Sequence, residues 1–227
     1  MDVEALILTL RLALSTTAIL LLIAIPLAWW IASGHGWVRA LAQAAVALPL
    51  VLPPTVIGFY LLVAMGPLTA PGRALIRVIG HPLAFSFTGL LVGSVIYSLP
   101  FAVQPLVAGF GAVDREYVEA AAGLGAAPAR VFRTVVLPMA RASLLTSAVL
   151  AFTHTVGEFG VVLMLGGNIP GATRTLSISL YDLVQDGNYA AANRTALVLI
   201  GFSLVALMAI YLLPGLRRQD GSADVVR

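Results

Sequence analysis

The chain has 227 residues, of which 60% are hydrophobic and only 10% charged, and its mean hydropathy is +1.00. A soluble domain carries about 25% charged residues, so this chain cannot cover a water-facing surface and reads as an integral membrane protein. It has no cysteine and no lysine, all 13 basic residues being arginine, which excludes disulfides, thiolate metal sites, a Walker A phosphate loop and Schiff-base chemistry. The net charge of +3 is spread over loops and forms no nucleic-acid patch.

At roughly 20 residues per helix plus connections, the length allows about five or six crossings. The acidic start, Met1-Asp2-Val3-Glu4, lacks the positive n-region of a signal peptide. The apolar run 5–32 is therefore predicted as an uncleaved first span, with Arg11 near one end and Pro26 inside. A second span is predicted over 40–65. Pro49, Pro53 and Pro54 lie inside it and must distort it. A loop from Gly66 to about Pro82 follows, then a third span over 83–110 with Pro100 and Pro105. Residues 111–138 are less apolar and hold Asp114, Arg115, Glu116, Glu119, Arg130 and Arg133. They are predicted as two short helices around a turn, outside the hydrocarbon. A fourth span over 142–165 contains Glu158. An amphipathic stretch over 174–185 is too short and polar to span. A fifth span over 190–213 precedes a polar tail, 214–227.

With five spans the termini fall on opposite sides. Placing 111–138 in the cytoplasm puts Arg39, Arg115, Arg130, Arg133, Arg141, Arg217, Arg218 and Arg227 inside. Arg11, Arg73, Arg77, Arg174 and Arg194 fall outside. That excess follows the positive-inside rule and predicts an outside N-terminus and a cytoplasmic C-terminus.

The segment Glu119-Ala120-Ala121-Ala122-Gly123-Leu124-Gly125, followed by Val135-Val136-Leu137-Pro138, reads E-A-A-x3-G-x9-[IV]-x-L-P. This pattern resembles the EAA loop of the membrane subunits of bacterial ABC importers. Its small residues give a helix surface of low relief that can seat in a groove on a partner. Glu119 and Arg130 flank that surface and can set its register. Three further stretches, Leu48 to Gly58, Gly157-Glu158-Phe159-Gly160 and Gly167 to Thr175, are similar to molybdate ABC transporter permeases. That resemblance runs from the first span to the fifth.

The resemblance implies an all-α, polytopic, type I ABC importer permease (MetI-like) fold in the bacterial inner membrane. It implies one transmembrane domain over 1–227 and transport of an oxyanion, molybdate, rather than catalysis. Permeases for tungstate or sulfate/thiosulfate are the alternatives. It further implies a homodimer of this chain, two copies of an ABC ATPase that bind ATP and Mg2+, and an extracytoplasmic oxyanion-binding protein. Glu119, Ala120, Ala121, Gly125, Arg130, Leu137 and Pro138 would then couple to the ATPase.

The expected pathway residues are Pro53, Pro54, Gly58, Glu158 and Arg174. Glu158 is an ionisable group inside a span, which points it to the bundle interior or a partner. A carboxylate repels a dianion, so Glu158 is expected to pair with Arg174 or Arg11, or to shape an outer gate. Snorkelling to the lipid interface is the alternative. Arg174 follows a Gly/Pro loop and opens a helix, where a positive dipole end also favours anions. A salt-bridging loop arginine is the plainer reading. His154 and Glu158 are spaced i, i+4 and share a helix face if the span is continuous. His35 and His81 fall on opposite sides, so no metal site is supported. An intramembrane enzyme would need two or three ionisable groups at one depth, and the spans offer mainly Glu158 with His154.

Overall fold

The computed structural model describes residues 2–212. Among them every regular element is helical. The predicted tail, with Arg217, Arg218 and Arg227, and the end of the predicted fifth span at Leu213 lie outside the described residues.

Among the described residues, three uninterrupted helices are long and apolar enough to cross a membrane: α1 (Val3–Ala32), α5 (Phe87–Gly111) and α12 (Tyr189–Leu212). Single prolines do not break the first two. Pro26 sits inside α1, and Pro100 and Pro105 sit inside α5, because neighbouring helices can satisfy the freed carbonyls.

The predicted second span is broken outright. It forms α2 (Trp37–Val51) and α3 (Pro54–Met65), bent by 111°. The cause is the Pro53-Pro54 pair. A residue before proline is driven out of the helical region, and Pro53 sits at φ −56°, ψ 136°. Pro54 then opens α3 as its first residue, where no N–H is needed.

The predicted loop 66–82 is also corrected. It contains a ten-residue helix, α4 (Ala70–Ile79), which Thr69 caps by accepting from the Gly72 N–H at 3.1 Å.

The predicted fourth span is two helices, α9 (Arg141–Gly157) and α10 (Gly160–Gly166). Glu158 is extended (φ −65°, ψ 130°) and Phe159 sits at φ −125°, ψ −61°. Gly157 and Gly160 flank the break with the weakest helix propensity short of proline. His154 and Glu158 therefore do not share a helix face. The predicted amphipathic stretch forms α11 (Leu176–Gln185), capped by Thr175.

The helices α1, α5 and α9 form the central bundle, with small residues at their contacts. Ala24, Ala28, Ala102 and Ala151 are fully buried, which lets backbones approach closely. Ser147 Oγ donates to the Ala102 carbonyl at 2.6 Å and fastens α9 to α5. The core has two ends. At one, the last turns of α1 and α5 meet the segment 131–140 through Ile31, Phe110, Val136 and Ala140. At the other, Leu12 and Leu90 meet α3 and α10 through Ile57, Val161 and Leu165. Thr9 accepts from the Leu176 N–H at 2.8 Å and seats α11 against α1.

Candidate functional site

The EAA segment folds as its residues dictate. Helix α6 (Arg115–Gly123) starts at Asp114, whose side chain accepts from the Glu116 N–H at 3.1 Å. It ends in a Schellman motif. The Gly125 N–H donates to the Ala122 carbonyl at 2.9 Å, and the Ala126 N–H to the Ala121 carbonyl at 3.1 Å. Gly125 adopts φ +82°, a conformation that costs a side-chain-bearing residue about 1–2 kcal/mol.

Helix α7 (Pro128–Val131) follows, then a π-helical turn (Phe132–Val136) and α8 (Leu137–Met139). Pro138 has no N–H for the α-helical ladder. The wider turn just before it closes instead with the Leu137 N–H on the Phe132 carbonyl.

No residue of α6 is buried. Glu119, Ala120, Gly125, Arg130 and Pro138 are exposed, Ala121 and Leu137 are half-buried, and the Leu124 side chain is 90% exposed. The segment is thus a protruding helix and turn with most of its surface free.

Its root is aromatic. Phe132 lies 5.3 Å from the Trp29 ring and 5.7 Å from Phe110, and Trp29 meets Phe110 edge-on at 6.0 Å. These rings join the loop to the last turns of α1 and α5. Beside them a groove of about 250 Å³ is lined by Trp29, Phe110, Arg115 and Glu119. Sequence reasoning missed this triangle, because its members are 22 to 103 positions apart and no local spacing links them.

The second feature is a cleft of about 540 Å³ at the α9–α10 break. Pro54 and Thr55 of α3, Tyr97 of α5, Thr153, His154 and Gly157 of α9, and Glu158 to Gly160 at the break line it. Pro54 and Glu158 line the same cleft. Gly58 lies under the wall. A Cβ built there would sit 2.7 Å from Met164 Cβ, so only glycine permits the contact. Pro53 is exposed at the corner.

Glu158 is 3% exposed; among the described residues its carboxylate oxygens make no hydrogen bond of good geometry, the Ser94 hydroxyl being the neighbouring polar group. The expected pairing with an arginine is not made. Arg11 lies over the Phe87 ring at 5.3 Å. Arg174 donates from Nε to Asn168 Oδ1 at 2.7 Å and stands 3.7 Å from Asp182, which Asn168 Nδ2 also contacts at 2.9 Å. Arg174 is therefore the salt-bridging loop arginine. It lines a separate cleft with Asp2 and Asp182 rather than joining Glu158. It also precedes the helix, since Thr175 is the cap of α11.

His154 is held in the cleft wall. Its ring stacks on Phe101 at 3.8 Å, and Nδ1 is 2.9 Å from Ser98 Oγ. Ser98 also lies 3.0 Å from Thr155 Oγ1, which donates to the Ala151 carbonyl at 2.9 Å. Thr155 has one hydrogen, so this assigns Ser98 as donor to Thr155 and acceptor from His154 Nδ1–H. The chain His154–Ser98–Thr155 was not legible in the sequence. Ser98 is one small polar residue in an apolar run, and it meets its partners only across helices.

The family model for binding-protein-dependent transport system inner membrane components matches residues 9–218. The chain belongs to that family. It is a multi-pass permease, a transport component of the inner membrane. Among its relatives, the molybdenum transport system permease protein ModB of Azotobacter vinelandii is 50% identical over 211 residues, covering 92% of this chain and 93% of that protein. The molybdenum transport system permease protein ModB of Haemophilus influenzae is 34% identical over 209 residues, covering 92% and 91%. In a solved structure of the MetNI methionine ABC transporter, a chain 18% identical superposes with a TM-score of 0.71 over 92% of each chain. That likeness bears out the all-helical ABC importer permease fold.

Proposed function

We propose that this permease carries molybdate into the cytoplasm as one half of a homodimeric pathway. Two ATPase subunits dock at α6 and its Gly125 turn. A binding protein delivers the oxyanion at the opposite end of the bundle, where α1 begins. Half-sequence identity to a molybdenum permease across more than nine-tenths of both chains carries the assignment of cargo. The exposed EAA turn supports the docking role. There a low-relief, largely unburied helix leads into a segment rooted in the transmembrane core through Trp29, Phe110 and Phe132. ATP and Mg2+ belong to the ATPase, and closure of that subunit pushes on α6. The aromatic root then passes the movement to α1 and α5.

The described arginines on the α6 side, Arg39, Arg115, Arg130, Arg133 and Arg141, support a cytoplasmic α6 end and an outside N-terminus under the positive-inside rule. The cleft at the α9–α10 break lines the pathway. The pathway is completed by the second copy.

The test is ATP hydrolysis by the complex of permease, ATPase and binding protein in proteoliposomes. Molybdate and tungstate should stimulate it and sulfate should do so weakly. Stimulation by sulfate with none by molybdate would assign the chain to sulfate transport instead.

A further inference from the structure

Helix α4 (Ala70–Ile79) stands apart from the bundle. It packs chiefly on the end of α3, where a Cβ at Gly72 would run into the Gly66 carbonyl. Both of its ends are closed. Thr69 caps the first turn, and at the last turn the Gly80 N–H donates to the Ile76 carbonyl at 2.8 Å, with Gly80 at φ +86°. Ten residues make about 15 Å of helix, too short to cross a bilayer. Its flanks fix its level. Met65 before it and Leu83 after it are buried with Leu12 and Leu90, at the end of the bundle where α1 begins.

The helix has two unlike edges. At 3.6 residues per turn, Leu75, Val78 and Ile79 fall on one edge and Arg73 and Arg77 on the other. Gly72 and Ile76 lie between the two edges. All five edge residues are exposed, Val78 at 86%, and Leu68 just before the helix is 92% exposed. Apolar side chains left so open mark a surface made for lipid or another protein.

The charges separate those two. No acidic residue occurs between Glu4 and Asp114. Among the described residues neither Arg73 nor Arg77 forms an ion pair, and Arg73 only donates to the Leu68 carbonyl at 3.0 Å. The acids at this end of the bundle lie elsewhere. Asp2, Asp182 and Asp186 line the cleft with Arg174, and Glu4 stands beside Gly171. A second copy of α4 is a poor cover, because a two-fold contact would set the same arginines against each other. An anionic headgroup satisfies both edges at once.

We propose that α4 lies in the headgroup layer of the leaflet on the side where α1 begins, its apolar edge among the acyl chains and Arg73 and Arg77 on the phosphate of an anionic lipid such as phosphatidylglycerol. A guanidinium presents paired N–H donors that match phosphate oxygens. A short basic amphipathic helix gains from acyl burial and from anionic lipid together. Seated there, α4 holds the end of α3 at headgroup depth. The inference needs only a membrane-spanning chain and is independent of the cargo.

The chain has no cysteine, so Val78→Cys carries a single bimane label in the permease complex, assembled with a cysteine-free ATPase. The complex is placed in phosphatidylcholine nanodiscs in which an equal minor share of the lipid is brominated phosphatidylglycerol or brominated phosphatidylcholine. Quenching by the brominated phosphatidylglycerol should be about threefold the stronger. The exposed pair Arg73→Gln/Arg77→Gln should bring the two lipids level, and Arg73→Lys/Arg77→Lys should retain most of the preference. Equal quenching in the parent, or a preference that survives in the glutamine variant, overturns the proposal. Quenching by neither lipid would mean that protein covers this edge. Loss of the preference on adding molybdate would give the arginines to the cargo. Either result overturns it as well.

Discussion

The EAA turn and the α9–α10 cleft are built on opposite principles. The turn is local. Asp114 caps, alanines propagate, Gly125 reverses and Pro128 restarts, all within 15 consecutive residues. Almost none of it is buried. The cleft draws on four helices, and its His154 is satisfied by a residue from another helix, Ser98. A surface that must fit another protein can be fixed by short-range rules. A pathway wall takes its chemistry from packing.

Four substitutions can break or sharpen that contrast. The largest effect is expected at Gly125→Val. A β-branched residue at φ +82° costs about 1–2 kcal/mol and unwinds the Schellman turn. The protein should still insert, because nothing lies within 4 Å of a Cβ there. Uptake should fall by about a hundredfold with ATP hydrolysis no longer stimulated by cargo. Wild-type uptake would remove the docking role from this turn.

Next is Gly58→Leu. It forces α3 from α10 and should cost about 1–3 kcal/mol by overpacking, read as a lower melting temperature in detergent. An unchanged melting temperature would mean that the seam is loose. Ser98→Ala leaves His154 Nδ1 and Thr155 without their shared partner, at about 1–2 kcal/mol. The Ser98→Thr variant, which keeps the hydroxyl, should recover most of it. The smallest effect is expected at Asp182→Asn. The Arg174 pair is partly exposed and 3.7 Å long, so its loss should cost less than about 1 kcal/mol and leave uptake near wild type. A large loss there would restore Arg174 to the pathway.

Much of this was legible in the sequence, and the misses have physical causes. The spans at α1, α5 and α12, the α6 turn and the amphipathic α11 follow from hydropathy, caps and glycines, which act over a few residues. Pro49, Pro53 and Pro54 announced a distortion. Only the Pro53-Pro54 pair became a corner, because a lone proline in a span is tolerated by its neighbours. The break at Glu158 was hidden inside an apolar run, where Gly157 and Gly160 only lower propensity. An arginine partner for Glu158 follows from charge alone, which does not say which arginine is near. Asn168 and Asp182 hold Arg174 instead, from 6 and 8 positions away. Charge complementarity says that a partner exists somewhere, and packing decides which one is within reach.

The central claim is that this chain moves molybdate under drive from the α6 turn. The direct measurement is accumulation of radiolabelled molybdate in proteoliposomes loaded with ATP and bearing the permease, its ATPase and its binding protein. Uptake is expected only when all three are present, and Gly125→Val should lower it about a hundredfold. Uptake without the ATPase, or accumulation of sulfate but not molybdate by the complete complex, would contradict the account.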